Sequence, residues 1–136
     1  MNFLEKLIPR LEQNPGIMWS ITLMYAGMIF YLSSIPITQP PILDKISFIS
    51  TIEHIIEFAI FGTLLLISFR SIKQDSILAV VVLVCFYGFS DEIHQLFTPG
   101  RVFDVWDILA DCVGGVCGAF MAAYHSDRII KIKQEK

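Results

Sequence analysis

The chain has 136 residues, of which 54% are hydrophobic and only 17% charged, with a formal net charge of -3. That length holds one domain at most, and a mean hydropathy of +0.63 exceeds soluble usage and points to a membrane protein. No basic-aromatic surface suggests nucleic acid, and the cysteines lack zinc-like spacing.

In chain order, Met1 to Asn14 forms a short amphipathic segment. Phe3, Leu4, Leu7, Ile8 and Leu11 share one face and Glu5, Lys6, Arg10 and Glu12 the other, as in an interfacial foot weakened by Pro9. Gly16 to Ile35 carries no charge and has the length of a span. A signal peptide is the competing reading, but no small-residue cleavage pattern follows. Pro36 ends this first helix. The loop Pro36 to Ile49, with Pro40-Pro41, is expected to be non-helical.

The remaining spans are short. Phe58 to Phe69 offers about 18 Å of charge-free helix, Ser76 to Ser90 about 22 Å and Cys112 to Tyr124 about 20 Å. A bilayer core needs about 30 Å. To cross, the second helix must take in Glu57, His54 and Glu53. The third must take in Asp91, Glu92 and His94, and the fourth Asp111 and Asp107. The expected spans run over about 16–35, 53–69, 76–97 and 104–125. Cys85, Cys112 and Cys117 fall inside apolar runs and are expected as small buried hydrophobes rather than disulfide or metal partners.

Lys6, Arg10, Arg70, Lys73, Arg128, Lys131, Lys133 and Lys136 lie on one side of this arrangement, and only Lys45 and Arg101 on the other. The positive-inside rule then places both termini in the cytoplasm. Trp19 and Tyr124 fall at the inner interface, and Tyr31 and Trp106 at the outer. The fold expected is an all-α integral membrane bundle of four transmembrane helices. Its polar extensions face the extracytoplasmic side of a bacterial inner membrane.

Ionisable groups at membrane depth are usually kept for function. Between the last two spans stand Asp91, Glu92, Asp104, Asp107 and Asp111 with His94 and Arg101, and Pro99-Gly100 marks a tight turn midway. Helical spacing puts His54 with Glu57 on one stripe, Asp91 with His94 and Gln95 on a second, and Asp104 with Asp107 and Asp111 on a third. Gly114 and Gly118 form a small-xxx-small pair, extended by Ala122, that permits close helix approach.

Three functional readings meet one structural one. In the first, Arg101 holds a phosphate or carboxylate, with Asp91, Gln95, Asp104 and Asp111 as further binding residues. His54, Glu92, His94 and Asp107 are then the candidates for proton transfer. In the second, histidines and carboxylates bind a divalent metal that activates water; the His-x-x-Glu and Asp-x-x-His spacings permit this, but no His-Glu-x-x-His signature supports it, so no cofactor is expected. A proton relay in a small transporter is the third. In the structural alternative Arg101 neutralises Asp104 or Asp91, and the histidines bridge helices. Ser33 and Ser34 end the first helix on the outer side and are expected as ordinary helix-end hydroxyls, with lining of the crevice as the alternative.

The run Asp91-Glu92-x-His94-Gln95-x-Phe97-x-Pro99-Gly100-Arg101, followed by Asp107, Gly114 and Gly118, resembles the VanZ-like family. Tyr31-x-Ser33-Ser34-x-Pro36 and His54-x-x-x-Phe58-x-x-Phe61-Gly62 also look like family elements. Asp111 stands where an Asn is usual, Thr51 where a Lys often precedes the His, and Phe58 where a Tyr is common. The resemblance implies a cell-envelope role, including tolerance of lipoglycopeptide antibiotics of the teicoplanin kind, and it implies no reaction. The expected partner is a membrane lipid or lipid-linked envelope precursor. The alternatives are a non-catalytic scaffold of a larger envelope complex or a metal-dependent intramembrane hydrolase.

Overall fold

A computed structural model describes residues 14–36, 45–69 and 74–134, with side chains placed for 14–36, 50–69 and 75–125. The amphipathic segment expected at the N-terminus lies outside the described residues, apart from Asn14. Four helices are present and no strand among the described residues: α1 (Pro15–Ser33), α2 (Lys45–Ser68), α3 (Gln74–Gln95) and α4 (Val105–Gln134). All four are long and apolar enough to cross a membrane. Each is apolar around most of its circumference rather than along one stripe, as helices bathed in lipid are. Leu23, Met24, Leu78, Phe86, Phe120 and Met121 are among many large hydrophobics left exposed. The chain is a multi-pass membrane protein.

The helix ends follow local chemistry. Pro15 occupies the first turn of α1, where its missing N–H is no loss. Pro36 cannot continue that helix, which closes at Ser33 with the Ser34 N–H donating to the Phe30 and Tyr31 carbonyls. Helix α2 begins at Lys45, so the expected non-helical loop to Ile49 is five residues too long at its C-terminal end. The last proline of that stretch is Pro41, and nothing from Lys45 to Ile49 opposes helix. The charged residues His54, Glu57 and Glu53 are inside α2, Asp91, Glu92 and His94 inside α3, and Asp107 and Asp111 inside α4.

Between α3 and α4 the Arg101 N–H donates to the Thr98 carbonyl at 3.1 Å, and Gly100 has φ 82°. Proline second and a left-handed glycine third define a type II turn. Asp104 stands just before α4 and accepts the Trp106 N–H at 2.8 Å through Oδ1, acting as its N-cap. The expected stripe of Asp104, Asp107 and Asp111 is therefore corrected: only the last two are helical.

Helices α2 and α4 make the largest contact in the bundle. They run parallel, because Gly114 abuts the backbone of Ile55 and, four residues on, Gly118 abuts that of Ala59. Gly62 meets the backbone of Gly115 in the same seam, and the Thr63 hydroxyl donates to the Gly118 carbonyl at 3.0 Å. The small-residue pair thus does what its spacing implied: it lets two backbones touch. Below the polar end the core is Ile29, Phe58, Phe61, Leu65, Leu66, Val80, Val84 and Ala119. Two hydrogen bonds made by hydroxyls cross this apolar region, Tyr87 to the Ala26 carbonyl at 2.6 Å and Thr22 against Ser68 at 2.8 Å, each removing a costly unmade hydrogen bond. Cys85 and Cys112 are paired as a disulfide between α3 and α4, their Cα atoms 4.9 Å apart, whereas Cys117 is free and exposed. The expectation of small buried hydrophobes is therefore corrected: Cys85 and Cys112 are paired, and Cys117 is unpaired but exposed; an apolar run in sequence does not reveal that two positions on antiparallel helices face each other.

Candidate functional site

The polar residues collect at the end of the bundle that holds the α3–α4 turn, and they divide into two networks and a cavity. The first network joins α2, α3 and α4. His54 is buried, and its Nδ1 lies 2.8 Å from Asp111 Oδ1. Its Nε2 lies 3.8 Å from Asp107 Oδ2, beyond hydrogen-bond reach. Glu92, with 0% of its surface exposed, accepts the Asp104 N–H through Oε2 at 2.8 Å, while its Oε1 has no partner among the described residues. Asp111 is equally buried, with Oδ2 unpaired among the described residues. It fits because Gly88 stands opposite: a Cβ there would come within 2.8 Å of the Asp111 carboxylate.

The second network joins α1 to α3. Asp91 Oδ2 accepts hydrogen bonds from the Ser33 hydroxyl at 2.9 Å and from the Gln95 amide at 3.0 Å. The Ser34 hydroxyl pairs with His94 Nε2 at 2.8 Å, and the Phe30 ring stacks on the His94 imidazole with centroids 3.9 Å apart. Ser34 also donates to the Phe30 carbonyl at 2.7 Å, as an ordinary helix-end hydroxyl does, whereas Ser33 lines the cavity, the alternative reading. Their signal was their place: they end α1 at the depth where α3 carries its acids. Phe30, four residues before Ser34, was likewise missed.

The two histidines therefore sit in separate networks rather than in one cluster. His94 pairs with Ser34 and Gln95 with Asp91, whereas His54 attends Asp107 and Asp111. A cavity of about 510 Å³ opens beside both, and its polar lining includes Glu53, His54, Glu57, Asp91, Gln95 and Arg101. Arg101 is the one Lys or Arg among the described side chains. Its Nε is buried without a hydrogen-bond partner, and its guanidinium makes no ion pair among the described residues. Pairing of Arg101 with Asp104 or Asp91, the structural alternative, is not found among them. Asp104 instead lines a second, smaller hollow with Thr51, Ile55 and Trp106.

The arrangement is that of a helical membrane protein whose ionisable residues meet at one end of the bundle. A VanZ/LLP1 family model matches residues 17–126, and the chain belongs to that family. The match spans all the polar residues described above. No curated protein and no solved structure matches the chain.

Proposed function

We propose that this VanZ-family protein acts in the cell envelope by holding the anionic head of a membrane lipid or lipid-linked precursor at Arg101. The cavity would then open to the outer side of a bacterial inner membrane. One observation carries the reading: a guanidinium with a buried, unpartnered Nε borders a cavity large enough for a head group. Ion pairs to protein carboxylates are the usual state of such an arginine, and a fork that makes none among the described residues suits a phosphate or carboxylate presented bidentately. The acids of the same lining supply acceptors for the hydroxyl or ammonium groups that such head groups carry. Tolerance of lipoglycopeptides is the phenotype that this role would serve.

The test compares abundance with function. Arg101→Lys keeps the charge and loses the planar fork, so it should reduce lipoglycopeptide tolerance while the protein stays at normal level in the membrane. Tolerance that falls only in step with abundance would refute the reading.

The second reading is a scaffold that stabilises a larger envelope complex. Both histidines favour it, because each bridges helices through a hydrogen bond. His94→Gln keeps one such bond yet cannot exchange a proton near neutral pH. Unchanged tolerance in this variant supports the scaffold role for His94; loss at full abundance supports a site.

A further inference from the structure

Three helices bring His54, Glu92 and Asp107 together so that one ligand atom from each lies within 4.8 Å of the others. The charges do not balance. Glu92, Asp107 and Asp111 surround a single imidazole, and Arg101 makes no ion pair with any of them. Carboxylates at membrane depth need a counter-charge, and buried ones left without it are costly. The unpaired Oε1 of the fully buried Glu92 is a second, separate sign that something belongs here.

We propose that His54, Glu92 and Asp107 bind a first-row divalent cation, with Asp111 as the residue that positions the imidazole. Asp111 holds Nδ1 at 2.8 Å, which leaves Nε2 to coordinate, and that pairing of carboxylate, histidine and metal is a recurrent second layer around bound ions. The 3.8 Å between Nε2 and the Asp107 carboxylate is too long for a hydrogen bond and suits two ligands on one ion. Three ligands at about 2.1 Å from one ion and at tetrahedral angles stand about 3.4 Å apart, so a gap of 4.8 Å closes by about 1.4 Å, shared between the side chains, when the ion binds. Imidazole with carboxylate selects zinc, manganese or iron over calcium or magnesium, which favour oxygen alone. Three protein ligands leave further positions for water or an exchangeable oxyanion. The proposal stands on this geometry and is independent of the envelope role.

Zinc is the probe. The full chain, purified in detergent and stripped with chelator, should take up about one zinc per chain in equilibrium dialysis. Glu92→Gln and Asp107→Asn should each weaken uptake at least about tenfold, and Asp111→Asn should weaken it while leaving the stoichiometry intact. His125→Ala, at an exposed histidine near the far end of α4, should change nothing. Cobalt in place of zinc should give the spectrum of nitrogen and oxygen ligation without a thiolate charge-transfer band. Absence of saturable uptake by the helical, monodisperse chain overturns the proposal. So does a thiolate band, or equal uptake by the parent and both ligand variants. If a variant loses its helical signal, the cobalt spectrum of the parent chain decides.

Discussion

His54 Nδ1 and Asp111 Oδ1 stand 2.8 Å apart and tie α2 to α4 at the polar end of a glycine-rich seam. The pair is the only polar side-chain bond between these two helices among those described in which both partners are buried. Below it the same two helices meet backbone to backbone. Polar fastening at one end and close packing along the rest make separable demands on the sequence.

The fastening predicts a graded response at position 111. Asp111→Asn keeps an oxygen to accept the imidazole N–H and should cost little in the metal-free protein. Asp111→Ala leaves His54 buried and unpaired, a loss of about 1–3 kcal/mol. Thermal unfolding in detergent measures both, and equal losses would show that the hydrogen bond contributes nothing.

Close packing predicts a different pattern at the glycines. Gly114→Ala and Gly118→Ala would drive a methyl group into the backbones of Ile55 and Ala59, and such overpacking costs roughly 1–3 kcal/mol. Gly27, in α1, has nothing within 4 Å of an added Cβ. Gly27→Ala should be neutral or stabilising, since alanine is the better helix former. A similar loss at all three positions would mean that helix propensity, not the seam, sets the effect.

Much of the bundle was legible because membrane spans are written in composition. Spans too short without their acidic ends forced Glu57, Asp91 and Asp107 into helices, and the 3.6-residue period put Gly114 and Gly118 on one face. The type II turn followed from Pro99-Gly100. What was hidden depends on the neighbour across a helix interface. Ser33 and Ser34 stand in a family-like run, yet nothing in that run says that α3 presents Asp91 and His94 to them. Cys85 meets Cys112 for the same reason. Sequence period sorts residues within a helix, whereas the rotation of each helix about its axis decides which faces meet.

Orientation is testable by fusion. Eight Lys and Arg on one side against two on the other should hold both ends in the cytoplasm. A reporter active only outside the cytoplasm should be silent after Lys136 and active near Pro40. A strong signal from the Lys136 fusion would reverse the proposed side of the cavity.

Depth can be read by thiol labelling in a background lacking Cys85, Cys112 and Cys117. Cysteine at position 111, where the native side chain is fully buried, should react slowly with a bulky aqueous reagent. Position 53, exposed at the cavity lining, should react faster, and Pro40→Cys is the fast reference. Equal rates at positions 111 and 40 would contradict an enclosed polar network.

Gly88 and Asp111 divide one small volume between them, the missing side chain of the first making room for the carboxylate of the second. The two positions are therefore coupled. A side chain can appear at 88 only after 111 has shortened, and 111 cannot shorten without releasing His54. An exchange of Asp for Asn at 111 preserves size and leaves 88 no roomier, so a larger residue at 88 needs 111 to shorten first, a change harmful alone. Combined variants at the two positions should therefore be far from additive.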